Sequence, residues 1–302
     1  MFKKVFIIST LFLQFLALGQ QEAQYTQYYE NMMYYNPAFA GNNGNFNATL
    51  MHRQQWVGIK GAPMTQALSV HTPLPNYESF GIGLSALNDR VGPLNQTWIN
   101  VDFSYKLRFD NHDGTLAMGL KGGVNLVNGD LAGMQTTQVN DPAFQMAYQN
   151  DLLPNFGTGL YYDHDRIFAG VSIPRIIQSR PSDAELFYVD QRHYYFVMGG
   201  YFDINDNVQF RPSTMLKITE NAPFALDLTT AFIFNEKLWL GANYRLIESI
   251  GAFAQYKIGD SFRFGYAFDI ATSAIIRHNF GTHEIMLTYD FNKIKSNKAR
   301  IN

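Results

Sequence analysis

Cysteine is absent from the 302-residue chain. That excludes a disulfide scaffold, a thiolate metal centre and a lipid-modified N-terminal cysteine. Charge is scarce as well: Asp, Glu, Lys and Arg make up 16% of the residues, well below the usual quarter, and the net charge is -2. Such a chain does not seek polyanions, so nucleic acid is not an expected partner. Past residue 19, no apolar run approaches the roughly 18 residues that a spanning helix needs. If the mature chain crosses a membrane, it must do so as strands. No G-x-S-x-G, H-E-x-x-H, P-loop or dinucleotide-binding pattern occurs. Of the 7 histidines, His112 and His164 fall beside aspartates in candidate turns, where a solvated side chain is the simpler account. Adjacent turn residues such as "YDHDR" at 162–166 rarely converge on one ion. No enzyme activity, cofactor or metal site is expected.

What the chain does have begins with a leader. Lys3 and Lys4 give a basic start, an apolar run follows to Leu18, and Ala17-Leu18-Gly19 supplies the small residues a signal peptidase reads. Residues 1–19 are therefore expected to be a secretory signal peptide. Aromatics are abundant, at 15%.

Period-2 alternation dominates the rest. In "TWINVDFSYKLRF", Thr97 to Phe109, the odd positions are Thr97, Ile99, Val101, Phe103, Tyr105, Leu107 and Phe109, and the even ones are mostly polar. One face wants hydrocarbon and the other wants water, which no 3.6-residue stripe provides. The pattern recurs at Leu116–Leu126, Tyr194–Ile204, Leu226–Phe234, Phe262–Phe268 and His283–Phe291, with further candidates between them. The count is roughly fourteen strands, an even number, as bacterial outer-membrane barrels require. The expected fold is all-β: a transmembrane antiparallel up-and-down barrel over 45–291, with an N-terminal strap or plug at 20–44. A basic tail at 292–302 would lie in the periplasm. A helix is expected only around Ala143 to Gln149.

Loop lengths orient the barrel. If the first strand runs outward, the inner turns are short and rich in Asn, Asp and Gly, while the connections 127–154, 174–192 and 269–281 on the other side are long. That asymmetry is the outer-membrane signature. Tyr105, Phe109, Tyr161, Tyr162, Tyr194, Trp239, Tyr289 and Phe291 are expected at the lipid headgroup level. The inward set pairs Lys106, Arg108, Lys121, Arg211, Lys217, Arg245, Lys257 and Arg263 with Asp102, Asp203, Asp227, Asp269, Glu284 and Asp290. Nearly balanced signs point to paired charges in a closed interior, whereas a selective pore shows one excess sign.

Three stretches carry a family resemblance: "YYNPAFAG" at Tyr34–Gly41, "HRQQWVG" at His52–Gly58 and "NDPAF" at Asn140–Phe144. With them the chain resembles the PorP/SprF family of type IX secretion system membrane proteins of Bacteroidetes. The resemblance implies an outer-membrane barrel that helps export or surface-attach proteins carrying a C-terminal sorting domain. Some members support gliding adhesins, and others associate with the periplasmic ring of the machine. Expected partners are outer-membrane lipid, other type IX subunits, and a secreted adhesin or sorting domain. A passive porin is the alternative. Tyr34, Tyr35, Asn36, Pro37 and Phe39 form either a plug packed in the periplasmic mouth or a docking strip for a periplasmic partner. The plug is favoured because exposed apolar runs aggregate. Met134, Phe144, Tyr148, Phe187 and Tyr188, in the long outer loops, are candidate contacts for the exported protein.

Overall fold

Alternating side chains pay off only if one face of the sheet meets the core and the other a second apolar medium, and the structure provides both. The computed structural model describes residues 24–109, 114–130, 147–178, 191–220 and 222–291. Its strands, in chain order, are β1 (Phe46–Gln54), β2 (Met64–Leu74), β3 (Tyr77–Val91), β4 (Leu94–Arg108), β5 (Thr115–Asp130), β6 (Ala147–Asp163), β7 (Ile167–Ile173) and β8 (His193–Gly200). There follow β9 (Phe202–Asn205), β10 (Val208–Thr219), β11 (Ala225–Phe234), β12 (Leu238–Arg245), β13 (Ser249–Ile258), β14 (Phe262–Ala271) and β15 (Thr282–Phe291). Each pairs antiparallel with its neighbours, β15 pairs with β1, and the β10–β11 ladder completes the ring. Fourteen strands make the closed barrel, and β9 is one extra strand, as β8 and β9 both pair with β10 and the break falls at Tyr201. Closing the ring removes the two free edges that an open sheet would have, as strands in hydrocarbon require.

The expected faces hold. Leu50, Leu120, Met198 and Ile250 point outward, 52%, 64%, 60% and 56% exposed, and every strand contributes large apolar side chains to this belt. An apolar surface of that extent is incompatible with water and suits lipid. Aromatic pairs cluster on the belt near the inner strand ends: Phe80 with Phe103 and Tyr105, Phe210 with Phe232, and Phe262 with Tyr289. Tyr161 departs from its expected headgroup position; it faces the lumen and is fully buried. Arg108 and Asp203 depart in the other direction. They have inward parity but lie at the inner rim, exposed, and Arg108 pairs there with Glu78.

The inner connections are short, as expected. Asn235 and Glu236, with φ of 48° and 54°, supply the two left-handed residues of the β11–β12 turn. On the outer side, two connections are also tight, at 92–93 and 246–248. The others are 55–63, 131–146, 174–192, 220–224 and 272–281. Loop 55–63 is tied to 272–281 by the Val57 N–H to the Gly281 carbonyl (2.9 Å) and the Phe280 N–H to the Val57 carbonyl (2.8 Å).

The barrel wall is uneven. β3 to β6 have 15, 15, 16 and 17 residues, against 7 to 12 for most other strands. The expected loop 127–154 is accordingly shorter, because β5 reaches Asp130 and β6 begins at Ala147. The expected helix around Ala143–Gln149 is not borne out where described, since Ala147 onward is strand. Gly129, Asp130, Asn150 and Pro154 read as loop residues, yet in its upper part β6 has β5 as its ladder partner and β7 joins only from Thr158. A proline is tolerated in such a one-sided strand.

Candidate functional site: the filled lumen

The molecule's core lies inside the barrel and is built around its own N-terminal segment. Residues 24–41 are buried except Tyr29 and Glu30, which are half-buried. Tyr25, Tyr28, Met32, Met33 and Tyr35 form one cluster with inward Met51, Trp98, Tyr161, Phe168, Met215 and Met286. Locally the segment is a chain of tight turns: a 3₁₀ turn over Tyr28–Asn31, one α-helical turn over Met32–Tyr35, and a second 3₁₀ turn over Pro37–Phe39. Asn36 starts the last turn. Its side-chain Oδ1 accepts from the Ala38 N–H at 3.0 Å, and Pro37 occupies the first position, where its missing N–H costs nothing. Gly41 ends the segment at φ 65°, where a side chain would collide with the backbone of Pro73 and Gly81.

The first half is held by charge. Both oxygens of Glu284 accept backbone N–H groups, from Thr26 and Gln27 at 3.0 Å each. The Thr26 hydroxyl donates to Asp269 at 2.6 Å, and Arg53 bridges Asp269 (2.9 Å) and Glu284 (3.2 Å). Arg245 pairs with Asp227 at 2.9 Å and donates to the Tyr25 carbonyl at 3.5 Å. Glu30 is gripped by Arg211 (3.3 Å) and Arg263, and the Arg211 guanidinium also lies 4.2 Å over the Tyr29 ring.

The second half is held by shape and by backbone carbonyls. Lys121 donates to the Met33 and Tyr34 carbonyls at 3.2 and 3.1 Å while it faces Asp102 at 3.3 Å. Ser172 donates to the Tyr35 carbonyl (2.8 Å), Ser104 to that of Ala40 (2.6 Å), and Lys106 to that of Gly41. Arg175 donates to the Tyr34 hydroxyl at 2.8 Å. Asn36 Nδ2 donates to the Leu160 carbonyl at 2.9 Å. Phe39 stands edge-on to Tyr161 (5.3 Å) and His71 (5.7 Å). The wall beneath is glycine: a Cβ on Gly119 would sit inside the Ala38 backbone, and one on Gly159 inside the Asn36 side chain.

Tyr34, Tyr35, Asn36, Pro37 and Phe39 are thus brought together, all inside the barrel and all buried. Met134, Phe144, Phe187 and Tyr188 lie outside the described residues. Tyr148 lies in β6 opposite Gly129, a strand position where the sequence suggested a loop. The partners of Tyr25–Glu30 were missed by the motif reading. The only signal was the inward parity of Arg211, Arg245, Arg263, Asp269 and Glu284. Among the described residues, no cluster of three or more His, Asp and Glu is placed to hold a metal.

A closed barrel with a lipid-facing belt, short inner turns and a lumen occupied by its own chain is an integral outer-membrane β-barrel. The chain belongs to the family described as type IX secretion system membrane protein PorP/SprF, which matches residues 17–289. Against curated protein sequences no significant match is found. Among solved structures, the chain is similar to the outer membrane protein Omp33 of Acinetobacter baumannii. That similarity has a TM-score of 0.50 and 10% identity, over 82% of this chain and 99% of that one. The KdgM porin, solved with disordered oligogalacturonate, matches at TM-score 0.39 and 11% identity over 81% and 99% of the two chains. At these identities the likeness concerns the barrel fold alone.

Proposed function

We propose that this protein is a non-enzymatic outer-membrane component of type IX secretion that supports export or surface attachment of proteins carrying a C-terminal sorting domain. Family membership supplies the secretion context. The observation that carries the rest is the filled lumen. Residues 24–41 occupy it, Glu30 pairs with Arg211 and Arg263, and other inward charges pair with one another across the wall, as Arg245 with Asp227 and Arg53 with Asp269 and Glu284, so the barrel works as a closed scaffold, with the segment as its plug. A diffusion porin would instead keep a water-filled path with one excess sign at its constriction. Contact with the exported adhesin or sorting domain falls to the outer loops, where Met134, Phe144, Phe187 and Tyr188 supply apolar anchors and Tyr148 stands at the base of the first loop. The inner face meets the other type IX subunits.

Two measurements test this. In planar bilayers the intact protein gives little steady conductance, and a variant lacking Gln24–Gly41 gives more. A large, stable current from the intact protein overturns the plug and favours the porin. In cells, Phe144→Ser with Tyr188→Ser leaves barrel abundance normal while the exported protein is lost from the surface or released to the medium. Unchanged display of every type IX substrate moves the contact to the periplasmic face.

A further inference from the structure

The lumen segment has two ends, and their partners lie at opposite rims of the barrel. At its N-terminal end, Tyr25 is bonded by Arg245, the last residue of β12 on the outer side. Thr26 is bonded to Asp269, two residues before the outer end of β14, and to Glu284, two residues after the outer start of β15. Two strand residues span about 7 Å, so each of these partners stands just below the outer rim. At the C-terminal end, Lys106 binds Gly41 two residues before the inner end of β4, and Asn42 donates to Asp163, the last residue of β6 on the inner side (3.3 Å). The path between is not straight. Glu30 reaches down to Arg263, the second residue of β14, before Tyr34 and Tyr35 return to Arg175 and Ser172 beside the outer end of β7.

We infer that the segment threads the barrel from outside to inside: the mature N-terminus opens on the extracellular mouth, and the chain crosses its own lumen before β1 begins at the periplasmic rim. The reach is sufficient. Only Gln20–Ala23 lie between the expected cleavage site and Gln24, and four extended residues span about 14 Å, twice the depth of the Thr26 anchors below the outer rim. Nothing in the signal-peptide pathway requires this direction. A plug hanging from the periplasmic mouth would place Thr26 and Tyr25 against inner strand ends, whereas they are fastened to Arg245, Asp269 and Glu284. The consequence is one of sidedness: the N-terminal end of the plug lies toward the cell exterior and its C-terminal end toward the periplasm. The inference deepens the plug reading, and the two fail separately, because conductance tests occlusion and the experiment below tests direction.

Because the chain has no cysteine, each engineered thiol is the only one. Gln21→Cys is compared, in intact cells treated with a membrane-impermeant maleimide, with Ile247→Cys in the exposed outer turn and Asp206→Cys in the inner turn. The expected result is labelling of Gln21→Cys together with Ile247→Cys, with Asp206→Cys labelled only after the outer membrane is permeabilised. An epitope inserted between Gln21 and Glu22 is probed with antibody in parallel, so that a thiol too deep for the reagent still gives an answer. Epitope detection on intact cells supports the inference. Detection only after permeabilisation places the end in the periplasm and overturns it. Detection only after denaturation means the end is enclosed in the lumen, which also overturns it.

Discussion

Gln24–Asn31 and Met32–Gly41 occupy one lumen but are fastened to it by different forces. The first half faces mainly β10 to β15 and β1, the short side of the barrel, with Tyr29 reaching Phe168 of β7, and is held by paired charges and charge-assisted hydrogen bonds. The second half lies on the long strands β3 to β6 and on β7, held by close backbone approach over glycine and by buried aromatic rings. A charged tether is lost as a unit when one partner goes, because the remaining charge is buried alone. A packed contact loses stability with each methylene removed, and it tolerates no added atom. The two halves should therefore respond to opposite kinds of mutation.

The largest effects should come from removing the key side chain of each half. Glu30→Ala leaves Arg211 and Arg263 without their carboxylate, and breaking a buried pair in this way costs about 3–5 kcal/mol. Phe39→Ala empties the space against Tyr161 and His71, at a similar cost of about 3–5 kcal/mol. Urea midpoints in detergent give the totals, and limited chymotrypsin digestion gives the location. The first variant should be cut at Tyr25, Tyr28 and Tyr29, the second at Tyr34 and Tyr35. Identical cleavage patterns would erase the distinction between the halves.

Smaller changes probe the glycine wall. Gly119→Val pushes a side chain into the Ala38 backbone and should cost about 1–3 kcal/mol, with the second half displaced and the first retained. Ser104→Ala removes the hydroxyl that satisfies the Ala40 carbonyl, for about 1 kcal/mol. Arg108→Ala serves as the control: its ion pair with Glu78 is exposed at the inner rim, and its loss should shift the midpoint by under about 0.5 kcal/mol.

Much of the barrel was legible in the sequence because a strand with two different media on its two faces must alternate. The outward parity of Ile99, Val101 and Phe103 and the inward parity of Asp102 and Lys121 required no tertiary information. The upper halves of β5 and β6 were not legible, since Gly129, Asp130, Asn150 and Pro154 carry turn chemistry and the pairing that overrides it is long-range. Tyr161 was misplaced for a related reason. A tyrosine near a strand end suits the headgroup level equally well, and only the presence of Phe39 in the lumen decides that it faces inward.

By itself, the sequence determined the fold class and the inward parity of most of the charges, and its loop lengths suggested an orientation, because period-2 hydropathy and turn chemistry are local properties written residue by residue. It also marked Tyr34–Phe39 as a stretch that had to be covered. Only the tertiary structure decided what covers it and which way it runs. The partners Arg245, Asp269 and Glu284 lie more than 200 residues from Tyr25 and Thr26 in the chain. A contact of that separation exists only once the barrel has closed around the segment, and no local pattern in the chain encodes it.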